Sequence, residues 1–218
     1  MQNLIFEIVA FLIAVFSFLF GAVKLFKKGK PLYMQILVCA AGCFAIEQIS
    51  FMVNLWCGVQ ENVSVNMLGV FGCNLFLLSA NYGTLDKIVD DGTCTKKIKI
   101  LSFIAPAITC ALILTAFFAW KNYDLFFAFV SAFVLLPSIP ASYFNLKHIL
   151  LPADSNIFLR TTTPCNVAAL IYYFLNASVA TLSVLGDLAL DGFISALMSV
   201  DMLLLVIFSV RGAKKWKI

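Results

Sequence analysis

The sequence predicts an all-α, polytopic membrane protein of seven transmembrane helices, with residues 1–218 forming one transmembrane domain. Three observations predict it. Hydrophobic residues make up 62% of the chain and charged residues 12%, whereas a soluble domain carries about a quarter charged residues. Seven apolar stretches, parted by short polar breaks, each suit a hydrocarbon core about 30 Å thick, which needs roughly 20 helical residues. Threading those stretches through a membrane places fourteen of the fifteen Lys and Arg residues on one side.

Helix 1 is predicted from Leu4 to Val23 and helix 2 from Leu32 to Trp56. Helix 3 covers Val65 to Leu85, helix 4 Ile100 to Trp120, and helix 5 Leu125 to Leu146. Helix 6 spans Phe158 to Val184, and helix 7 Phe193 to Val210. Alternate breaks hold the basic residues: Lys24, Lys27, Lys28 and Lys30; then Lys87, Lys96, Lys97 and Lys99; then Lys147 and Arg160; finally Arg211, Lys214, Lys215 and Lys217. The remaining breaks hold only Lys121, with Glu61, Asp124, Asp187 and Asp191. Short cytoplasmic loops retain Lys and Arg, so the N-terminus is expected outside and the C-terminus in the cytoplasm, in the plasma membrane. The uncharged Met1-Gln2-Asn3 precedes the apolar run and the lysines follow it. A cleavable signal has the opposite order, so helix 1 is expected to remain. Trp56, Trp120 and Tyr123 are expected to anchor the outer interface, and Tyr33 and Trp216 the inner one.

Composition excludes several functions. The net charge of +4 comes from lysines at helix ends, which orient the chain and meet lipid headgroups, so it does not point to nucleic acid. No phosphate loop or cofactor motif is present, and no break is long enough for a soluble module. Six of the seven Cys lie in apolar segments or an inner loop, which predicts free thiols packed as small apolar residues. The single His148 lies at an inner helix end without expected co-ligands, so no metal site is predicted.

Leu68-Gly-Val-Phe-Gly-Cys-Asn74-Leu-Phe-Leu-Leu78 can be set beside Ser195-Ala-Leu-Met-Ser-Val-Asp201-Met-Leu-Leu-Leu205. Asn74 then falls opposite Asp201, each about mid-membrane. Helices 1–3 and 5–7 would be parallel repeats joined by helix 4. Apolar helices also match by composition, which leaves a bundle without internal symmetry as the alternative. A seven-helix 3+1+3 chain of this length resembles the SWEET and PQ-loop class of small-solute transporters. The resemblance implies a solute site shared by Asn74 and the residue matching it in helix 7, here Asp201. The chain departs from that class in having no Pro-Gln pair and no proline in helix 1.

Polar residues inside the spans are the candidate solute- or ion-binding groups. Asp201, central in helix 7, costs at least ~2.5 kcal/mol to insert, and such residues face the bundle interior. Glu47 shares one face of helix 2 with Cys39, Cys43, Ser50 and Asn54, by spacings of three and four. A soft-metal site at Cys39, Cys43 and Glu47 is the alternative to simple packing of those thiols. Asn74 and Asn81 share a face of helix 3, with Asn66 near the outer mouth. Thr162, Asn166, Tyr173 and Asn176 share a sector of helix 6. Each amide alone can simply glue helices together. Glu7 reads as interfacial. Pro137 and Pro140 predict a kink in helix 5, Pro164 a bend in helix 6, and Asn62-Val-Ser64 a glycosylation acceptor.

The function expected from these stripes is a transporter or channel for a small polar solute or ion, with Asp201 and Glu47 available for proton coupling. The alternative is a receptor-like seven-helix sensor signalling through a partner. An intramembrane lipid-processing enzyme ranks third, because no rhomboid-like Gly-x-Ser-Gly and no His-Glu-x-x-His occurs. No catalytic residue and no cofactor is predicted. The expected partners are the lipid bilayer, the solute, and a second copy or another membrane protein.

Overall fold

The computed structural model describes residues 2–58, 65–86, 94–152, 157–183 and 188–216. The glycosylation triplet at 62–64 lies outside them. All seven predicted helices are present, and each is long and apolar enough to cross a membrane. We label them α1 (Gln2–Leu25), α2 (Leu32–Cys57), α3 (Val65–Leu85), α4 (Lys96–Trp120), α5 (Leu125–Leu150), α6 (Ile157–Leu182) and α7 (Leu188–Lys215). No strand occurs among the described residues. Backbone groups in lipid must be satisfied within a segment, and helices do that.

Packing contacts give the order of helices around the bundle as α1, α2, α3, α5, α4, α6 and α7, with α7 returning to α1. A stripe of small residues on α1, Ala10, Ala14, Ser17 and Gly21, lets that helix approach its neighbours closely. A Cβ on Gly21 would lie 2.9 Å from both Val206 of α7 and Val38 of α2. The opposite face of α1 presents Ile5, Leu12, Phe16, Leu19 and Val23 outward, an apolar surface suited to lipid. Inside, Phe44, Leu77, Tyr172, Tyr173, Met202 and Leu205 form the core.

Three helices are interrupted, each for a local reason. Pro106 cannot donate a backbone hydrogen bond, and α4 breaks at Phe103, between Ser102 and Ile104. Pro137 ends the first part of α5 at Leu135, and the second part starts at Ser138, as the two prolines predicted. The Ser138 hydroxyl donates to the carbonyl of Leu135 (2.6 Å). In α3, Ser79–Leu85 is a π-helix, a wider turn common at functional sites. Pro164 sits inside an unbroken α6, where Thr162 and Thr163 donate to the carbonyls of Phe158 and Leu159.

The end of the bundle carrying Lys24, Lys96, Lys147 and Lys214 is called lysine-rich below, and the other lysine-poor. Trp56 and Tyr123 project from the lysine-poor end, 82% and 76% exposed. Tyr33 does not anchor the opposite interface. It is a core residue, 2% exposed, whose hydroxyl donates to Asn166 Oδ1 (3.1 Å). All seven cysteines are free thiols.

Candidate functional site: an acidic cleft at the lysine-poor end

A two-chambered cleft opens between α1, α2, α3, α6 and α7 on one side and α4 and α5 on the other. One chamber, about 240 Å³, is lined by Glu7, Glu47, Gln48, Asn66, Asp191 and Ser195, among others. The second, about 150 Å³, is lined by Glu47, Trp120, Phe127, Ser131, Asn176 and their neighbours. Glu47, Asn66, Val179 and Ser183 border both, so the chambers are continuous.

Glu47 lies ten residues before the end of α2 at Cys57, about 15 Å deep at 1.5 Å per residue. Gly69 of α3 fixes its backbone. A Cβ there would come within 2.8 Å of the Cys43 carbonyl and the Glu47 amide nitrogen, so only glycine lets the two helices meet. Glu47 lines both chambers, and its Oε2 is buried without a hydrogen-bond partner. Asp191 Oδ1 is likewise buried and unpartnered. The Ser195 hydroxyl donates to Gln48 Oε1, weakly, at 3.5 Å. Among the described residues, no Lys, Arg or His lines either chamber.

The sequence candidates separate along the bundle. Glu47 and Asn176 line the cleft. Asn74, Asn166, Tyr173 and Asp201 lie in the packed interior, the first three fully buried and Asp201 7% exposed. Asn74 Nδ2 donates to the Val134 carbonyl (3.3 Å), leaving its Oδ1 unpartnered. Asn166 Nδ2 and Asp201 Oδ2 are also unpartnered, while Asn145 stands beside the Tyr173 hydroxyl. Asn81 faces α5, as Asn74 does, but at the far end, where its Oδ1 meets His148 Nδ1 (3.2 Å).

That far contact belongs to a cluster which sequence reasoning missed. Asp86 Oδ1 accepts from Lys147 Nζ (2.8 Å) and lies 3.1 Å from His148 Nε2. Both ring nitrogens of His148 thus face oxygen, the pattern that an imidazolium with two N–H donors completes. Burial pushes the Asp86 carboxyl up, but the hydrogen bonds and charges of His148 and Lys147 outweigh it and hold it below its usual value. Lys147 was expected in a loop; it is instead 4% exposed, because α5 runs on to Leu150. The missed signal was the joint spacing of Asn81 and Asp86 against Lys147 and His148 on helix ends taken as loop.

Glu7 and Asp191 were also read past. Glu7, near the start of α1, lines the larger chamber. Asp191 was placed in a loop, but α7 begins at Leu188, so Asp191 and Ser195 stand one turn apart on one face. Among the described residues, no three His, Cys, Asp or Glu gather closely enough to hold a metal ion. The cleft therefore offers carboxylates, amides and hydroxyls beside an aromatic wall. No protein-family model, curated protein or solved structure matches the chain.

Proposed function

We propose that this multi-pass membrane protein is a transporter or channel for a small polar solute or ion. In this reading the lysine-poor end faces outside, because Lys and Arg are retained on the cytoplasmic side. Solute enters the acidic cleft, and Glu47 with Asp201 exchanges protons along the way. One observation carries it: a carboxylate oxygen about 15 Å inside the bundle, buried and unpartnered, where two open chambers meet. A buried carboxyl without a partner is costly, and in a membrane protein such groups mark solute and proton paths. Asn145 beside Tyr173, and Asp201 with its unpartnered Oδ2, extend polar character below the cleft.

The test is flux. Proteoliposomes holding a trapped pH dye are challenged with small amines, amino acids and sugars. One class should move protons well above empty vesicles, and Asp201→Asn and Glu47→Gln should each cut that flux at least tenfold. Wild-type flux in both variants would sink the mechanism. The hydrogen-bonded Asp86–His148–Lys147 cluster favours a second reading, since it ties α3 to α5 at the lysine-rich end. A cleft with one mouth is also a receptor pocket, and saturable binding without flux would select that sensor.

A further inference from the structure

We propose that the cleft takes a small organic cation, an ammonium group carried on an apolar body. The inference deepens the proposed function, and it rests on that reading of the cleft as the solute site.

Charge excludes most other ligands. Among the described residues, the lining holds Glu7, Glu47 and Asp191 and no basic residue. A cation can draw these carboxyls into their ionised form and pair with them, whereas an anion would be repelled by that form and a neutral sugar would leave the acids without a counter-charge. The nearest basic side chain at this end to be placed, Lys121, stands over the Phe118 ring at 4.8 Å and does not line the cleft.

The opposite wall excludes a bare ion. Trp120 and Phe127 pack with ring centroids 4.4 Å apart and face the smaller chamber with Met67, Val70 and Val134. The indole N–H of Trp120 donates to the Ala180 carbonyl (2.8 Å), which fixes the ring. A metal ion would use none of that surface. An ammonium near Glu47 gains from aromatic faces within about 6 Å, and its carbon body fills the apolar chamber.

Unused hydrogen-bonding groups supply the third observation. Ser131, 9% exposed, lines the smaller chamber, and its hydroxyl has no partner among the described residues. Asn176, 6% exposed, donates to the Tyr172 hydroxyl at 3.4 Å, while its Oδ1 accepts from none of them. Two oxygen acceptors beside a carboxylate match the several N–H donors of an ammonium group.

Phenethylammonium is the probe, and 2-phenylethanol its neutral counterpart. Binding to the purified protein is read by tryptophan fluorescence and by calorimetry. Saturable binding of phenethylammonium at least tenfold tighter than 2-phenylethanol is expected. Glu47→Gln should weaken it at least tenfold and Phe127→Leu several-fold. Glu7→Gln, nearer the mouth, gives an independent loss if Glu47→Gln does not fold. Equal binding of the neutral compound, equal competition by sodium or potassium, or no binding to wild type overturns the assignment. The same preparation in vesicles separates the two readings. Binding without uptake keeps the ligand class and overturns transport. Proton-coupled uptake of another solute without phenethylammonium binding keeps transport and overturns the ligand class.

Discussion

The two ends of this bundle treat their carboxylates in opposite ways. At the lysine-rich end Asp86 meets Lys147 and His148 within 3.1 Å. At the lysine-poor end Glu7, Glu47 and Asp191 border a cleft that no basic residue lines among the described residues. A carboxylate with its partners in place contributes to holding helices together. One without partners costs stability, and such a cost persists where a ligand supplies the missing charge. The difference separates a clamp from a site.

The comparison is broken most directly at the clamp. Asp86→Ala should cost about 3 kcal/mol, since it removes the carboxylate that two basic groups share. Unfolding of the purified protein in mixed micelles would measure it, and a loss below experimental error would show that the cluster holds nothing together. The same carboxylate sets an acid limit. Its folded value lies below the ordinary 3.8, so its stabilisation is complete above that value and fades as pH falls through the lower one. Wild type should therefore lose stability in that acid window more steeply than Asp86→Asn. Parallel pH profiles would refute the assignment.

A smaller effect is expected where the site is built. Gly69→Ala should cost about 2 kcal/mol, because the added methyl meets backbone atoms of α2 that cannot rotate away. Its binding loss should resemble that of Glu47→Gln, and intact binding would show that the α2–α3 approach does not position the carboxylate. Asn81→Ala should cost about 1 kcal/mol, the scale of one interhelical hydrogen bond in a membrane. The smallest effect sharpens the contrast. Glu47→Gln should leave ligand-free stability unchanged or raise it by a few tenths of a kcal/mol, for it replaces a carboxyl whose buried oxygen has no partner without breaking a hydrogen bond. A large destabilisation there would make Glu47 a structural residue like Asp86.

The seven spans were legible because lipid imposes a coarse rule: long apolar runs, with lysines at alternate breaks. Glu47 was legible for the same reason, as an acid within such a run. What stayed hidden depended on where helices end and what faces them across the bundle. Charge marked Asp191 and Lys147 as loop residues, yet both sit in helical turns, one lining a cleft and one in an ion pair. The π-helical turn of α3 has no signature in hydrophobic spacing. The pairing of Asn81 with His148 joins residues 67 apart in the chain. Trp120 was legible as an interface aromatic, but its ring also walls the cleft.

The interruption of α5 at Leu136 and Pro137 turns one membrane span into a jointed rod. Its lower arm is bolted to α3 through Lys147 and His148, while its upper arm supplies Phe127, Ser131 and Val134 to the cleft. A straight helix would pass any tilt of the upper arm down to the bolt. A joint there would take up such a tilt, leaving the lower arm where its ion pairs hold it. Probes attached to the two arms should report this as movement above the joint and stillness below it. Equal displacement of both arms would show the rod to be rigid.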